Sequence, residues 1–184
     1  RLGRHRHTEN VMNQLIVALD VEHAERAMHL VTSLQGVAGA FKVGNRLFTA
    51  EGPDLVRRIT GTGARVFLDL KYHDIPNTVA GAVAAATRLG VWMVNVHASG
   101  GAAMMRAARD AAHEEASKVG RTPPLVIAVT VLTSMGDDVL PTIGVPTQAD
   151  VQVARLAALA QAASLDGVVA SPRELPLLRR ACGT

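Results

Sequence analysis

Residues 67–78 place three charged side chains, Asp69, Lys71 and Asp74, directly after an apolar run. On a β-strand, residues two apart share a face, so Asp69 and Lys71 project together while the leucines beside Asp69 point the other way. Opposite charges on a buried strand are costly unless they are paired or used. A lysine flanked by carboxylates can stabilise developing negative charge and donate a proton. The simpler interpretation is a buried ion pair at the end of a strand.

Lysine usage favours the chemical interpretation. The 19 basic residues include only three lysines, at positions 42, 71 and 118, and all the others are arginines. A lysine can lend its proton because its pKa shifts readily on desolvation, whereas arginine remains charged. Lysines kept at positions 42 and 71 therefore suggest a function that arginine does not serve.

Composition excludes several classes of protein. The chain has 184 residues, 48% of them apolar and 3% aromatic, which is enough for one domain with an aliphatic core. Its longest nearly apolar stretch, residues 125–132, is too short to cross a bilayer. Despite a net charge of +3, the scattered arginines and few aromatics argue against nucleic-acid binding. The single cysteine, Cys182, excludes an intrachain disulfide and predicts a cytoplasmic protein.

Apolar strands alternate with helical patterns along the chain. The predicted strands are residues 15–21, 40–45, 65–72, 92–98, 125–132 and 167–171. The predicted helices are residues 24–34, 53–59, 76–89, 102–119, 149–163 and 172–181. Six βα units with nearly continuous apolar strands predict a parallel sheet covered by helices.

Both a doubly wound sheet and a (β/α)8 TIM barrel fit this alternation. No Gly-x-Gly-x-x-Gly follows the first strand, where a dinucleotide-binding fold would have it. Polar residues also gather near the C-terminal ends of five strands: Asp20, Lys42, Asp69, Lys71, Asn95, His97, Thr130 and Thr133. Charges that converge at one rim are typical of a barrel active site, so we predict an α/β TIM barrel.

About six of the eight βα units of a TIM barrel are present in this pattern. We therefore expect residues 15–184 to form a TIM-barrel domain that is C-terminally incomplete. The basic residues 1–14 are expected to be a disordered lead-in or a segment added for expression.

The chain resembles the orotidine 5′-phosphate decarboxylase family, of the bacterial type. The main motif is Asp-x-Lys-x-x-Asp followed by Ile-Pro-x-Thr, which here occupies residues 69–78. Residues 18–20, 42–44, 92–101 and 129–135 match further segments of the family, in order. The resemblance implies a TIM-barrel carboxy-lyase that converts orotidine 5′-phosphate to UMP in pyrimidine biosynthesis. It also implies a homodimer that uses no metal and no cofactor.

The resemblance assigns roles to individual residues of one subunit. Asp20 would bind a ribose hydroxyl, and Lys42 would join the charged network and contact substrate. Asp69 and Lys71 would lie at the reacting carbon, where Lys71 would protonate the carbanion-like C6. Thr133 would contact the pyrimidine ring.

Further residues would act across the dimer. Asp74 and Thr78 would be contributed to the neighbouring subunit's site, with Asp74 in the catalytic network, and Ile75 would be a substrate-binding residue. The family's phosphate grip and flexible lid come from loops after strands six to eight, including a late arginine. We expect the present chain to lack that phosphate clamp.

Two alternatives remain open. One is a Mg²⁺-dependent sugar-phosphate decarboxylase or aldolase-like enzyme of the same superfamily, although residues 73–78 with 132–134 favour the nucleotide enzyme. The other is a non-catalytic fragment that keeps the dimer contacts. His73 and His97 are candidate acid/base groups or, more simply, structural histidines. No His, Cys, Asp and Glu spacing in the sequence predicts a metal site.

Overall fold

The computed structural model describes residues 14–183. The prediction for the lead-in therefore lies outside the described residues, apart from Gln14. The strands are β1 (Ile16–Ala18), β2 (Ala40–Gly44), β3 (Val66–Tyr72), β4 (Met93–His97), β5 (Leu125–Val129) and β6 (Gly167–Val169). The α-helices are α1 (Ala24–Leu34), α2 (Asn45–Gly61), α3 (Pro76–Arg88), α4 (Gly101–Lys118), α5 (Ala149–Ala162) and α6 (Leu175–Cys182). Short 3-10 helices cover Ala98–Gly100, Leu140–Ile143 and Pro172–Glu174.

The strands form one parallel sheet in the order β1-β2-β3-β4-β5-β6. Each strand thus lies beside its neighbour in sequence, with a helix in every connection. A doubly wound sheet reverses its strand order at a switch point, whereas a (β/α)8 barrel does not. The order therefore confirms the prediction of a TIM barrel, represented by six βα units.

The core lies between the sheet and the helices. Val43, Leu68 and Val94 lie on adjacent strands, are fully buried, and belong to one apolar cluster with helix residues such as Val56 and Val83. Burying each such side chain stabilises the fold by about 1.5–3 kcal/mol. Because strand residues alternate, the neighbouring positions 42, 69 and 95 point into the barrel instead. The aliphatic core on one face thus holds polar side chains in place on the other.

Helix α2 is longer than predicted: it begins at Asn45 rather than at residue 53. The helix is broken at Gly52, whose backbone has φ 68° and ψ −168°. This conformation is essentially restricted to glycine. Pro53 follows and starts the second half of the helix, where a proline's missing N–H costs little. The predicted start at residue 53 therefore marks the break within a longer helix.

Strands β1, β5 and β6 are shorter than the sequence pattern predicts. As a result, Asp20 and Thr130 lie in the loops after β1 and β5 rather than within the strands, and Thr133 lies further along the second of these loops. None of the helices formed by residues 14–183 combines the length and apolarity needed to cross a membrane.

Candidate active site

The site is built around an irregularity at the end of β3. Leu68 pairs with Val94 of β4, but Tyr72 pairs with Val96, so residues 69–71 lie opposite Asn95 alone. Within this bulge Lys71 has a φ of 52°, in the left-handed region that non-glycine residues occupy only at a cost. The Lys71 backbone N–H donates a hydrogen bond of 2.8 Å to the Asn95 side-chain carbonyl. The bulge thus has a specific anchor on the neighbouring strand.

Asp69 lies at the centre of a network of charges. The Lys71 ammonium is 2.6 Å from Asp69 Oδ1, and the Lys42 ammonium is 3.2 Å from Oδ2. The Asn95 amide donates a further bond of 2.7 Å to Oδ1. Asp20 extends the network outwards, with Oδ1 3.8 Å from Lys42 Nζ. Both oxygens of the buried carboxylate are therefore satisfied, and two cations face the same space.

This environment lowers the pKa of Asp69. Burial is the largest single influence and by itself raises the pKa, but the hydrogen bonds from Lys71 and Asn95 act against it. The positive charge of Lys71 and the hydrogen bond from Lys42 also lower the pKa, and together these effects outweigh burial. Asp69 is therefore an anion at neutral pH.

A cavity of about 220 Å³ lies beside these charged side chains, at the C-terminal end of the strands. Asp20, Lys42, Asp69 and Lys71 line it, together with loop and helix residues from 19–21 and 44–47. A larger cavity of about 470 Å³ lies between α5, β6 and α6, and is lined by a mixture of aliphatic and polar residues. We assign the chemistry to the smaller of these two cavities because the ion pairs of Lys42 and Lys71 with Asp69 lie in its wall.

The remaining predicted residues lie outside this network. Asp74 and Thr78 are exposed, and Ile75 is 66% exposed, in the segment that leads from β3 into α3. Asp74 Oδ1 accepts a hydrogen bond of 2.6 Å from the N–H of Ile75. Among the ion pairs of residues 14–183, none joins Asp74 to Lys71. Thr133 is exposed in the loop after β5.

Two histidines lie near the network. The rings of His73 and His97 are 5.4 Å apart between centroids and tilted by 38°. Partial burial lowers the pKa of His97, and the nearby charges of His73 and Lys71 lower it further. His97 is therefore neutral at physiological pH and cannot supply a proton as an imidazolium there.

Asn95 is the residue whose role the sequence analysis missed. The sequence places it among the polar residues of the rim, but neither its type nor its spacing showed which groups it would meet. The available signal was an amide at an inward-facing position of an otherwise apolar strand. Such a buried amide needs hydrogen-bond partners.

Within the described part of the chain, no cluster of three or more His, Cys, Asp and Glu side chains is arranged to hold a metal ion. The charged residues that line the cavity are Lys42, Lys71, Asp20 and Asp69, with Arg46 beside them. This set suits the binding of an anionic substrate and proton transfer to it.

Comparison with known proteins places this site in a family. Residues 13–183 match the model of the "Orotidine 5'-phosphate decarboxylase / HUMPS family". The chain is 55% identical over 170 residues to the orotidine 5′-phosphate decarboxylase of Syntrophotalea carbinolica, a match that covers 92% of this chain and 70% of that protein. It is 54% identical over 172 residues to the enzyme of the same name from Moorella thermoacetica, covering 93% and 68% of the two chains.

A solved structure agrees with these matches. The crystal structure of orotidine 5′-phosphate decarboxylase from Lactobacillus acidophilus superimposes with a TM-score of 0.85 at 37% identity, covering 92% of this chain and 76% of that one. The similarity thus spans the sheet, the helices and the Asp69–Lys71 segment together. On these grounds the chain belongs to the orotidine 5′-phosphate decarboxylase / HUMPS family.

Proposed function

We propose that this protein decarboxylates orotidine 5′-phosphate to UMP, a step of pyrimidine biosynthesis, without a metal or an organic cofactor. The observation that carries the proposal is the Lys71 ammonium, held 2.6 Å from the buried Asp69 carboxylate at the mouth of the cavity. The named relatives support the choice of reaction and substrate. We also propose a cytoplasmic location, which rests on the single cysteine and the metabolic role.

Lys71 is the proposed proton donor. When the substrate carboxylate departs as CO₂, the electron pair of the broken C–C bond stays on C6. The Lys71 ammonium stabilises this negative charge as it develops and then transfers a proton to C6, forming the C–H bond of UMP. The neutral amine of Lys71 regains a proton from solvent, which completes the cycle.

Asp69 holds the Lys71 ammonium through one carboxylate oxygen, and Lys42 holds the other oxygen of the same carboxylate. Asp69 also repels a substrate carboxylate placed against it, by roughly 4 kcal/mol at 4 Å and an effective dielectric of about 20. Enzymes lower barriers by about 8–23 kcal/mol, so this repulsion is a minor contribution. The main contribution is the cation positioned where negative charge develops, together with binding energy from the remote parts of the nucleotide.

The exposed residues after β3 support a homodimer as part of the proposal. Asp74, Ile75 and Thr78 are exposed, and none of them forms a hydrogen bond or an ion pair with Lys71 of its own subunit. In the proposed dimer, Asp74 and Thr78 complete the neighbouring subunit's site, and Ile75 is a substrate-binding residue. Asp20 and Lys42 bind the ribose side of the substrate, and Thr133 contacts the pyrimidine ring from the loop after β5.

The deciding experiment measures CO₂ release from carboxyl-labelled orotidine 5′-phosphate, with and without EDTA, and UMP formation by chromatography. We expect stoichiometric CO₂ and UMP, unaffected by the chelator. Turnover of a sugar phosphate that requires added Mg²⁺ would instead support the alternative of a Mg²⁺-dependent sugar-phosphate decarboxylase or aldolase-like enzyme. Intact mass of the purified protein distinguishes an inactive fragment from an enzyme with a different substrate.

A further inference from the structure

We infer that Asn95 is a positioning residue of this site. Its side-chain amide accepts one hydrogen bond and donates another, and together these two bonds place the Lys71 side chain. The inference rests on the proposed function, because it concerns the placement of the proposed proton donor. Asn95 acts through Lys71 and Asp69 and is not itself expected to contact the substrate.

The geometry of Asn95 leaves it little freedom. The residue is 1% exposed in the middle of β4, opposite the bulge of β3. Its carbonyl oxygen accepts the Lys71 backbone N–H at 2.8 Å, and its nitrogen donates to Asp69 Oδ1 at 2.7 Å. The same Asp69 oxygen accepts the Lys71 ammonium at 2.6 Å. One amide therefore fixes both the backbone and the ion-pair partner of the proton donor.

The backbone bond matters because of the conformation of Lys71. Its left-handed φ of 52° persists only where the surroundings hold it. The regular ladder between β3 and β4 is interrupted at residues 69–71, so the Asn95 side chain replaces a strand partner there. The direction in which the Lys71 side chain leaves the backbone depends on this φ. Loss of the Asn95 bond is therefore expected to let residues 69–71 leave their present conformation and to shift the Lys71 ammonium from its place beside Asp69.

Asparagine is the side chain that meets both requirements. The lysine N–H needs an acceptor, while the ionised Asp69 needs a donor, and an amide carries one of each at the required separation. Aspartate would keep the acceptor but would place a second carboxylate against Asp69. Alanine would remove both bonds, and leucine would fill the space without either.

The two bonds can be tested separately. Asn95→Asp keeps the acceptor for Lys71, whereas Asn95→Ala removes acceptor and donor. Thr87→Val is the matched control, because Thr87 is equally buried and hydrogen-bonded but lies near the end of α3, bonded to Val83 of the same helix. Hydrogen exchange of the Lys71 amide and the 13C titration of the Asp69 carboxyl are measured beside kcat and KM.

We expect Asn95→Ala to lower kcat about 100-fold, the loss typical of a reactive group displaced by about 1 Å, with KM changed less than about threefold. Its Lys71 amide should exchange at least about tenfold faster than in the wild type, whereas Asn95→Asp should keep that amide protected. Asn95→Asp should raise the pKa of Asp69 because a donor is replaced by a second acid. A kcat for Asn95→Ala within tenfold of that of Thr87→Val would overturn the inference.

The exchange measurement also covers the remaining outcomes. If both Asn95 variants fail to fold, an unprotected Lys71 amide in the wild type overturns the inference and a protected one supports it. If the wild type does not release CO₂, the proposed function fails, while amide exchange and the Asp69 titration still decide whether Asn95 holds Lys71. Failure of the two proposals is therefore distinguishable.

Discussion

Lys71 Nζ lies 2.6 Å from Asp69 Oδ1, although β3 forms a bulge at these residues and Lys71 has a left-handed φ. Simple alternation would also put both side chains on one face. The bulge changes the direction in which the second one leaves the backbone. The ion pair is therefore a property of the local backbone geometry as well as of the spacing in sequence.

The role of Lys71 can be tested by separating charge from proton donation. Lys71→Ala removes both the charge and the proton donor and should lower kcat at least about 10³-fold. Lys71→Arg keeps the charge but cannot donate a proton, so its kcat should be at least about 100-fold lower than that of the wild type. Decarboxylation rates are measured on folded protein, with circular dichroism as the check on folding.

Lys118→Ala is the control for Lys71, because Lys118 is an exposed lysine at the end of α4. It should leave the rate unchanged. If Lys71→Arg turned over within about tenfold of the wild type, the positive charge would be sufficient and the assignment of Lys71 as proton donor would be wrong.

Sharing of Asp74 across a dimer predicts complementation between inactive subunits. In a mixture of Lys71→Ala and Asp74→Ala subunits, each heterodimer has one site with both residues intact. Equal amounts should therefore regain about a quarter of the wild-type activity, since half of the dimers are mixed and each has one working site of two. Steady-state decarboxylation after mixing and exchange of subunits gives the measurement.

The matched control for complementation mixes Lys71→Ala with Asp69→Ala. These two residues belong to the same site of one subunit, so no combination of subunits restores a complete site. Recovery in this control, or none in the first mixture, would contradict the division of the site between subunits.

The lowered pKa of Asp69 predicts a dependence of stability on pH. The pKa lies below its ordinary value of 3.8 because, although burial raises it, hydrogen bonds from Lys71 and Asn95 and the charge of Lys71 outweigh burial. A carboxyl group with a lowered folded-state pKa stabilises the fold above its unfolded-state pKa and loses this contribution as the pH falls through the folded-state value. The difference in free energy of unfolding between the wild type and Asp69→Asn should be constant above about pH 5 and should shrink below about pH 4.

Urea unfolding at several pH values measures this difference. Asp54→Asn serves as the control, because the Asp54 side chain is 86% exposed on α2 and its surface ion pair contributes at most about 1 kcal/mol. A wild-type advantage over Asp69→Asn that does not change between pH 7 and pH 3 would show that Asp69 is not stabilised as an anion.

The break in α2 predicts opposite effects for two glycines of the same helix. Gly52→Ala should destabilise the fold by about 1–3 kcal/mol, because alanine tolerates the φ of 68° and ψ of −168° poorly although space is open around it. Gly61→Ala meets no atom within 4 Å and lacks a positive φ, so it should be neutral or stabilising by up to about 1 kcal/mol. Urea denaturation of the two variants compares them directly, and an equal effect would refute the backbone explanation.

Much of the fold could be predicted from the sequence. The βα alternation and the position of every strand follow from short apolar runs and boundary residues, which are local signals. The position of Asp69 and Lys71 at the C-terminal rim follows from the same signals, because parallel strands bring their C-terminal ends to one edge. The start of α2 could not be placed, because Gly52 and Pro53 resemble a helix boundary although they lie within a longer helix.

The amino-acid sequence determines which charged groups reach the barrel rim, since the period of two along each strand selects the face. The contacts of Asn95 are a different matter, because this residue lies 24 positions from Lys71 and 26 positions from Asp69. Asn95 meets Asp69 and Lys71 because β4 lies beside β3, and Lys71 has its left-handed conformation at this contact. The bulge of β3, the Asn95 contacts and the lowered pKa of Asp69 are therefore consequences of packing, which local patterns do not encode.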